Sequence, residues 1–178
     1  MSRIGKEPVK IADGVTVSVD GQKVTVKGKL GELSYTMHAG VTAKVEGGSV
    51  LVACDDNKTH GNFHGLARAL INNRVVGVSQ GYQKQLSIEG TGFKAVLKGK
   101  ELALSLGFAN PKVFVVPEGV TCTVENDGLQ VTLVGVDKAV VGESAARIRA
   151  YYPAEPYKGT GLKYVGEHIR RKQGKKVA

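Results

Sequence analysis

The chain has 178 residues, 42% of them hydrophobic, which is enough to build a core and excludes a chain disordered throughout. Twenty-five Lys and Arg against 16 Asp and Glu leave a formal net charge of +9, pointing to a polyanionic partner, either nucleic acid or an anionic membrane surface. No apolar run approaches the ~20 residues that span a bilayer, and the opening Met1-Ser2-Arg3-Ile4-Gly5-Lys6 has no apolar stretch of signal-peptide length, so a cytosolic protein is expected.

Period-two apolar alternation dominates the first part of the chain. Val15, Val17 and Val19 alternate, Asp20-Gly21 marks a turn, and Val24 and Val26 alternate after it. This pattern predicts a hairpin of half-buried strands. Further strands are expected over 33–38, 41–46 and 50–54, the last two joined by a Gly47-Gly48 turn. The polar cluster Asp55-Asp56-Asn57-Lys58-Thr59 then suits a helix cap. Phe63, Leu66, Ala67 and Leu70 follow at helical spacing and predict the buried stripe of a first helix.

The same order recurs. Gly92-Phe93-Lys94-Ala95-Val96-Leu97-Lys98-Gly99 resembles the first strand and its turn, and Leu102, Leu104 and Leu106 alternate after it. Gly40-Val41-Thr42 and Val45-Glu46 match Gly119-Val120-Thr121 and Val124-Glu125 at an offset of 79, which also pairs Val52 with Val131 and Ala67-Arg68 with Ala146-Arg147. A second helix is therefore expected, with Asp137 as N-cap, a stripe of Val141, Ala145, Ile148 and Tyr152, and Pro153 as its stop. The fold class is α+β: a tandem duplication, each repeat an antiparallel sheet packed on one helix. The repeats are expected over 1–81 and 82–152, divided near Val78 to Gln85, with a carboxy-terminal extension over 153–178.

Charge separates these three segments. Residues 1–81 hold ten Lys/Arg and seven Asp/Glu, residues 82–152 hold eight and seven, and residues 153–178 hold seven and two. More than half the excess thus lies in the last 26 residues. There Gly159, Gly161 and two further glycines oppose a long helix and let backbone N–H groups approach phosphates. Lys158, Lys163, Arg170, Arg171, Lys172, Lys175 and Lys176 can neutralise phosphates, and Tyr157 and Tyr164 can stack on bases or sugars. Such a segment is expected to be mobile when free and ordered when bound. Only Ile169 is strongly apolar near the end, so no apolar helix face is available for a membrane.

Catalytic patterns are sparse. The Gly-Lys pairs at Gly5, Gly28, Gly99 and Gly174 lack the Ser/Thr of a phosphate-binding loop, and Gly90-Thr91-Gly92 and Gly159-Thr160-Gly161 read as turns. Cys54 and Cys122 belong to no Cys-x-x-Cys pair and read as small buried hydrophobes. His60 and His64 are four apart and, with Asp55 or Asp56, form the one metal alternative: a metal-dependent nucleic-acid enzyme. The plainer reading of the two histidines is a polar helix start with solvated or capping side chains. No enzyme, no cofactor, no metal and no small-molecule substrate is expected.

Glu155-Pro156-Tyr157-Lys158-Gly159-Thr160-Gly161-Leu162-Lys163-Tyr164 resembles the signature of the large-subunit ribosomal protein L-six family. Ser2-Arg3-Ile4-Gly5-Lys6, the stretch from His64 to Asn73, and Gly90-Thr91-Gly92-Phe93-Lys94-Ala95 resemble other stretches of the family, in the same order. The sequence departs from the usual signature at Ala154, where the family has Pro, and at Thr160, where it has Lys; the second puts a phosphate contact at that position in doubt. The resemblance implies two similar α+β domains and binding of large-subunit ribosomal RNA, mainly through the second domain and the extension. It further implies a place near the sarcin–ricin loop, with neighbouring ribosomal proteins and docking translational GTPases as partners. Carried onto this sequence, the RNA-facing set is Tyr157, Lys158, Gly159, Gly161, Lys163 and Tyr164. Arg170, Arg171, Lys172, Lys175 and Lys176 join it on charge, with Arg147 and Arg149 as weaker additions. Glu143, four residues before Arg147, offers that arginine a surface ion pair instead. Together these residues suggest a clamp in which loop 155–164 meets folded RNA through amides, lysines and tyrosines while the tail orders along a neighbouring strand.

Overall fold

A computed structural model describes residues 3–55 and 59–175. The chain divides into two compact units, residues 1–82 with 136–138, and residues 83–135 with 139–178.

The first unit holds β1 (Val9–Lys10), β2 (Thr16–Asp20), β3 (Lys23–Gly28), β4 (Gly31–Thr36), β5 (Val41–Glu46), β6 (Ser49–Cys54) and α1 (Gly61–Ser79). They form two three-stranded sheets, β2-β3-β4 and β1-β6-β5, rather than one sheet. Alternation sets which side chains enter the core: Val24 and Val26 of β3 are fully buried, while Thr25 between them is half-buried. The core adds Val9, Val41, Val50 and, from the helix, Ala67, Ile71, Val75 and Val78.

The helix stripe departs from expectation. The buried positions of α1 are His64, Ala67, Ile71, Val75, Gly77 and Val78, whereas Leu66 is exposed. The face has turned because His64 lies inside: its Nε2–H donates to the Val52 carbonyl at 2.9 Å, which satisfies a polar atom that burial would otherwise penalise. Gly5 packs on the ring, and a Cβ there would lie 2.6 Å from Nδ1. The N-cap is His60, with no side-chain capping bond, and of the polar cluster expected to cap the helix Asp56, Asn57 and Lys58 lie outside the described residues.

The second unit comprises β7 (Tyr82–Glu89), β8 (Lys94–Lys98), β9 (Glu101–Ser105), β10 (Lys112–Val115), β11 (Val120–Glu125), β12 (Gln130–Gly135), α2 (Lys138–Ala150) and β13 (Gly161–Tyr164), its first strand and its helix starting on residues grouped with the first unit. One sheet runs β10-β9-β8 and the other β11-β12-β7-β13. Leu102, Leu104 and Leu106 are buried as their alternation requires. They pack with Leu86, Ile88, Val131, Leu133, Val141, Ala145, Ile148 and Leu162 into one core. The helix ends at Ala150, and Tyr152 packs on the core from beyond it.

The duplication stands, but its offset is not constant. Val41 and Val120 begin β5 and β11, 79 residues apart. Val45 then pairs with Val50 and Val124 with Val131, so the return strands are 81 apart: the two-residue Gly47-Gly48 turn is matched by four residues, 126–129. The connection into the helix is shorter in the second repeat, and the helices begin at Gly61 and Lys138, 77 apart. Ser144 is therefore the counterpart of Ala67, both buried, while Ala146 is exposed.

Candidate nucleic-acid interface

The extension is not a free tail. β13 pairs antiparallel with β7, Gly161 opposite Glu89 and Tyr164 opposite Leu86, as the outer strand of the four-stranded sheet. Leu162 is fully buried, and its N–H donates to the Tyr152 carbonyl at 2.9 Å. Burying such a side chain contributes about 1.5–3 kcal/mol, so 161–164 is held by the unit's own core.

Between α2 and β13 the chain makes a tight loop. The Gly159 amide donates to the Glu155 carbonyl at 3.0 Å, the Glu155 amide to the Thr160 carbonyl at 2.9 Å, and the Thr160 hydroxyl to Glu155 Oε2 at 3.0 Å. Thr160 thus serves the loop internally. Gly159 is buried with a φ of +78°, and Gly161 is buried with a φ of +135°. A Cβ on Gly161 would lie 2.8 Å from both the Ala154 Cα and the Pro153 carbonyl oxygen. The close approach that requires this glycine is therefore to the protein's own backbone. The amides of Gly159, Leu162 and Tyr164 already have acceptors within the protein.

The cations fall into two groups. Lys163 is ion-paired with Glu89, Arg147 with Glu143, and Arg149 with Glu167. The Arg147 pair is the i,i+4 surface pair expected from spacing. Arg149 forks onto Glu167, its Nε 3.1 Å from Oε2 while Nη2 reaches Oε1. Glu167 Oε2 also accepts the Tyr164 amide at 2.9 Å. The side-chain bond from Arg149, aided by this amide, holds the Glu167 carboxyl below its usual range, and the same bond raises Arg149. The Tyr164 ring has the Arg149 guanidinium carbon 5.6 Å and the Lys84 Nζ 5.7 Å from its centroid.

Lys158, Arg170, Arg171, Lys172 and Lys175 form the other group. All are exposed, and no ion pair joins them to a carboxylate among the described residues. Tyr157 is exposed at the tip of the loop between them. The Lys172 amide donates to the Pro156 carbonyl at 2.9 Å, bringing the tail back onto the loop. A concavity of about 360 Å³ opens between Gly159, Lys163 and the 167–171 segment. Lys176 lies outside the described residues. Lys84 lies beside Tyr164 and escaped the sequence reading, because a lone lysine in a polar stretch carries no motif.

Of the metal alternative, Asp56 lies outside the described residues. Among the described residues no three His, Cys, Asp or Glu side chains gather as a metal would need. His64 is turned inward onto Val52, and His60 Nδ1 lies 3.0 Å from the Thr59 hydroxyl. Cys122 is buried, as expected of a small hydrophobe, whereas Cys54 is only half-buried, and neither forms a disulfide. No helix among the described residues is long and apolar enough to cross a membrane.

Fold and site together define a duplicated α+β protein with a group of exposed cations on one unit that make no ion pair among the described residues. The family model described as Ribosomal protein L6 matches residues 11–81 and 89–165, one segment for each repeat. The chain is 50% identical over 177 residues to the large ribosomal subunit protein uL6 of Magnetococcus marinus, covering 99% of both chains. It is 51% identical over 176 residues to that of a Synechococcus species and 48% identical over 176 residues to that of Listeria monocytogenes, covering 98% of each chain in both cases. The chain belongs to the ribosomal protein L6 family. That is a family of ribosomal proteins and not of enzymes, which removes the alternative of a metal-dependent nucleic-acid enzyme.

Proposed function

We propose that the chain is a structural constituent of the large ribosomal subunit in the cytoplasm, binding large-subunit ribosomal RNA through its second unit and supporting subunit assembly and translation. The observation that carries this reading is the set of five exposed cations, Lys158 on the loop and Arg170, Arg171, Lys172 and Lys175 on the segment that returns to it at Lys172, which make no ion pair among the described residues, while Lys163, Arg147 and Arg149 are paired with carboxylates. Lysines and arginines left unpaired at the surface are those that release counterions from a phosphate backbone. Tyr157 at the loop tip is placed to stack or fill a groove, so shape is read more than base sequence. The RNA-binding part is the 153–178 extension, and the first repeat, less densely charged than that extension, stiffens the assembly or meets neighbouring ribosomal proteins. The signature over 155–164 carries the finer placement near the sarcin–ricin loop, beside the docking region of translational GTPases.

The test is the salt dependence of binding to deproteinised large-subunit RNA. Five neutralised phosphates give a log–log slope of about −4.5, by analogy with duplex DNA. Replacing Arg170, Arg171, Lys172 and Lys175 with Gln should bring the slope to about −1. A slope near zero for the wild type, or an unchanged slope for the variant, refutes the reading. Substitution is preferable to deleting 153–178, because deletion also removes β13 and Leu162 from the fold.

A further inference from the structure

We propose that Glu167, an acid beside a surface that attracts phosphate, is the positioning residue of that surface: it latches the following basic segment onto α2 and β13, so that Arg170, Arg171 and Lys172 are set on the loop before RNA arrives. The inference rests on the RNA-binding reading above and goes beyond it by assigning a role to a residue that charge alone would count as unfavourable.

Geometry makes the case. Both carboxylate oxygens are engaged. Oε2 accepts from Arg149 Nε at 3.1 Å and from the Tyr164 amide at 2.9 Å, and Oε1 accepts from Arg149 Nη2. The Glu167 amide donates to the Tyr164 carbonyl at 3.0 Å, so backbone and side chain grip the same strand end. At 24% and 34% exposure, the Glu167 and Arg149 side chains are better shielded than the Glu143–Arg147 pair, at 61% and 68%. Shielding and the fork geometry make it the stronger tether. Five residues on, the Lys172 amide donates to the Pro156 carbonyl at 2.9 Å, and Arg171 lies over Gly159, where a Cβ would come within 3.2 Å of its Nη2. The segment 167–172 is thus a strap fastened at both ends. Its middle, at His168 and Ile169, lines the concavity together with Gly159 and Lys163.

A strap already fastened loses less conformational freedom on binding than a loose tail, which raises affinity without a new contact. The competing account makes Glu167 a neutraliser that withholds Arg149 from phosphate. The two predict opposite signs. Glu167→Gln raises the net charge from +9 to +10, so counterion release alone makes it bind RNA more tightly. Loss of the latch makes it bind more weakly, by about tenfold, with the salt slope unchanged because the same phosphates are met.

The experiment measures affinity and salt slope for deproteinised large-subunit RNA, with amide hydrogen exchange on the free full-length chain, for wild type, Glu167→Gln and Arg149→Lys. The second variant keeps the charge and loses the fork. The expected result is weaker binding by both variants and loss of protection at the Lys172 amide, with Leu104 in the core still protected. Should Glu167→Gln also expose Leu104, Arg149→Lys carries the test. Binding by the variants as tight as or tighter than wild type, or weaker binding with Lys172 still protected, overturns the latch alone. A wild-type affinity flat in salt sinks the RNA reading, and the latch with it.

Discussion

Replacing Gly161 with Ala tests whether this signature glycine serves the fold or the RNA. Its φ of +135° is one that a residue with a side chain rarely adopts, and an added Cβ would meet the Ala154 Cα and Pro153 O at 2.8 Å and the Tyr152 O at 2.9 Å. All three are backbone atoms, so no side chain can swing aside. Backbone strain at such a position costs about 1–3 kcal/mol, and an extra methyl in a close-packed site about 1–3 more. Their sum is about 4 kcal/mol, a large part of the ~5–15 kcal/mol that holds a domain folded. Gly159→Ala is the graded comparison. Its φ of +78° is also unfavourable, but its new Cβ meets only the flexible Arg171 side-chain end, nearest at Nη2, 3.2 Å away, so about 1 kcal/mol is expected. Gly174→Ala has nothing within 4 Å and serves as the neutral control.

The assay is urea unfolding followed by tyrosine fluorescence, since the chain has no Trp and four of its six tyrosines, Tyr151, Tyr152, Tyr157 and Tyr164, lie in the second unit. With a dependence of ~2 kcal/mol per molar urea, the midpoint of that unit should fall by about 2 M for Gly161→Ala and about 0.5 M for Gly159→Ala. If Gly161→Ala unfolds at the wild-type midpoint and loses RNA affinity, the packing argument is wrong, and the glycine is kept for close approach of RNA.

Two further outcomes follow from titrating groups. Glu167 has its carboxyl pKa lowered by Arg149 from the ordinary 4.5, so the stability it adds is complete above that value and is lost as pH falls through the lowered one; an exchange or chemical-shift titration of the Tyr164 amide with a midpoint at or above 4.5 would contradict this. Cys122 is buried and its thiol raised above 9.0 by desolvation, so a disulfide reagent should label it only on unfolding, after half-buried Cys54; prompt native labelling of both would show the β11 side of the core to be open.

Local alternation made most of the strands legible. Val41 and Ala43, buried on one face of β5, mark that strand, and Leu102 and Leu104 do the same for β9, with Leu106 buried just past its end. The strands that escaped are those whose burial comes from distant partners. β7 follows Tyr82 with polar Gln83-Lys84-Gln85 and reaches aliphatic residues only at Leu86 and Ile88, so it reads as a linker although it lies inside a sheet. β10 buries Phe114 alone of its four residues, and β13 offers Leu162 as its one buried apolar side chain, amid glycine and lysine. Such strands are specified by the ladder they join, and period-two patterning is blind to a ladder. His64 shifted the α1 stripe for a related reason: its acceptor, the Val52 carbonyl, is twelve residues away and carries no sequence mark.

The candidate site was legible as a region but not as a set of roles, because charge counts do not reveal pairing. Seven cations after Pro153 look equivalent in sequence. In the fold Lys163 is held by Glu89 across the β7–β13 ladder, while Arg170, Arg171 and Lys172 are left outward. Arg149 and Glu167 are eighteen residues apart, with a loop and a strand between them, so neither names the other in advance. A carboxylate in a basic segment reads as a flaw in a phosphate-binding surface when charges are summed. It reads as a fastening once its three donors are seen to be the guanidinium nitrogens of α2 and an amide of β13. Since a segment that must be ordered to bind loses affinity in proportion to what remains to be ordered, one well-placed acid can add more to polyanion binding than another lysine would.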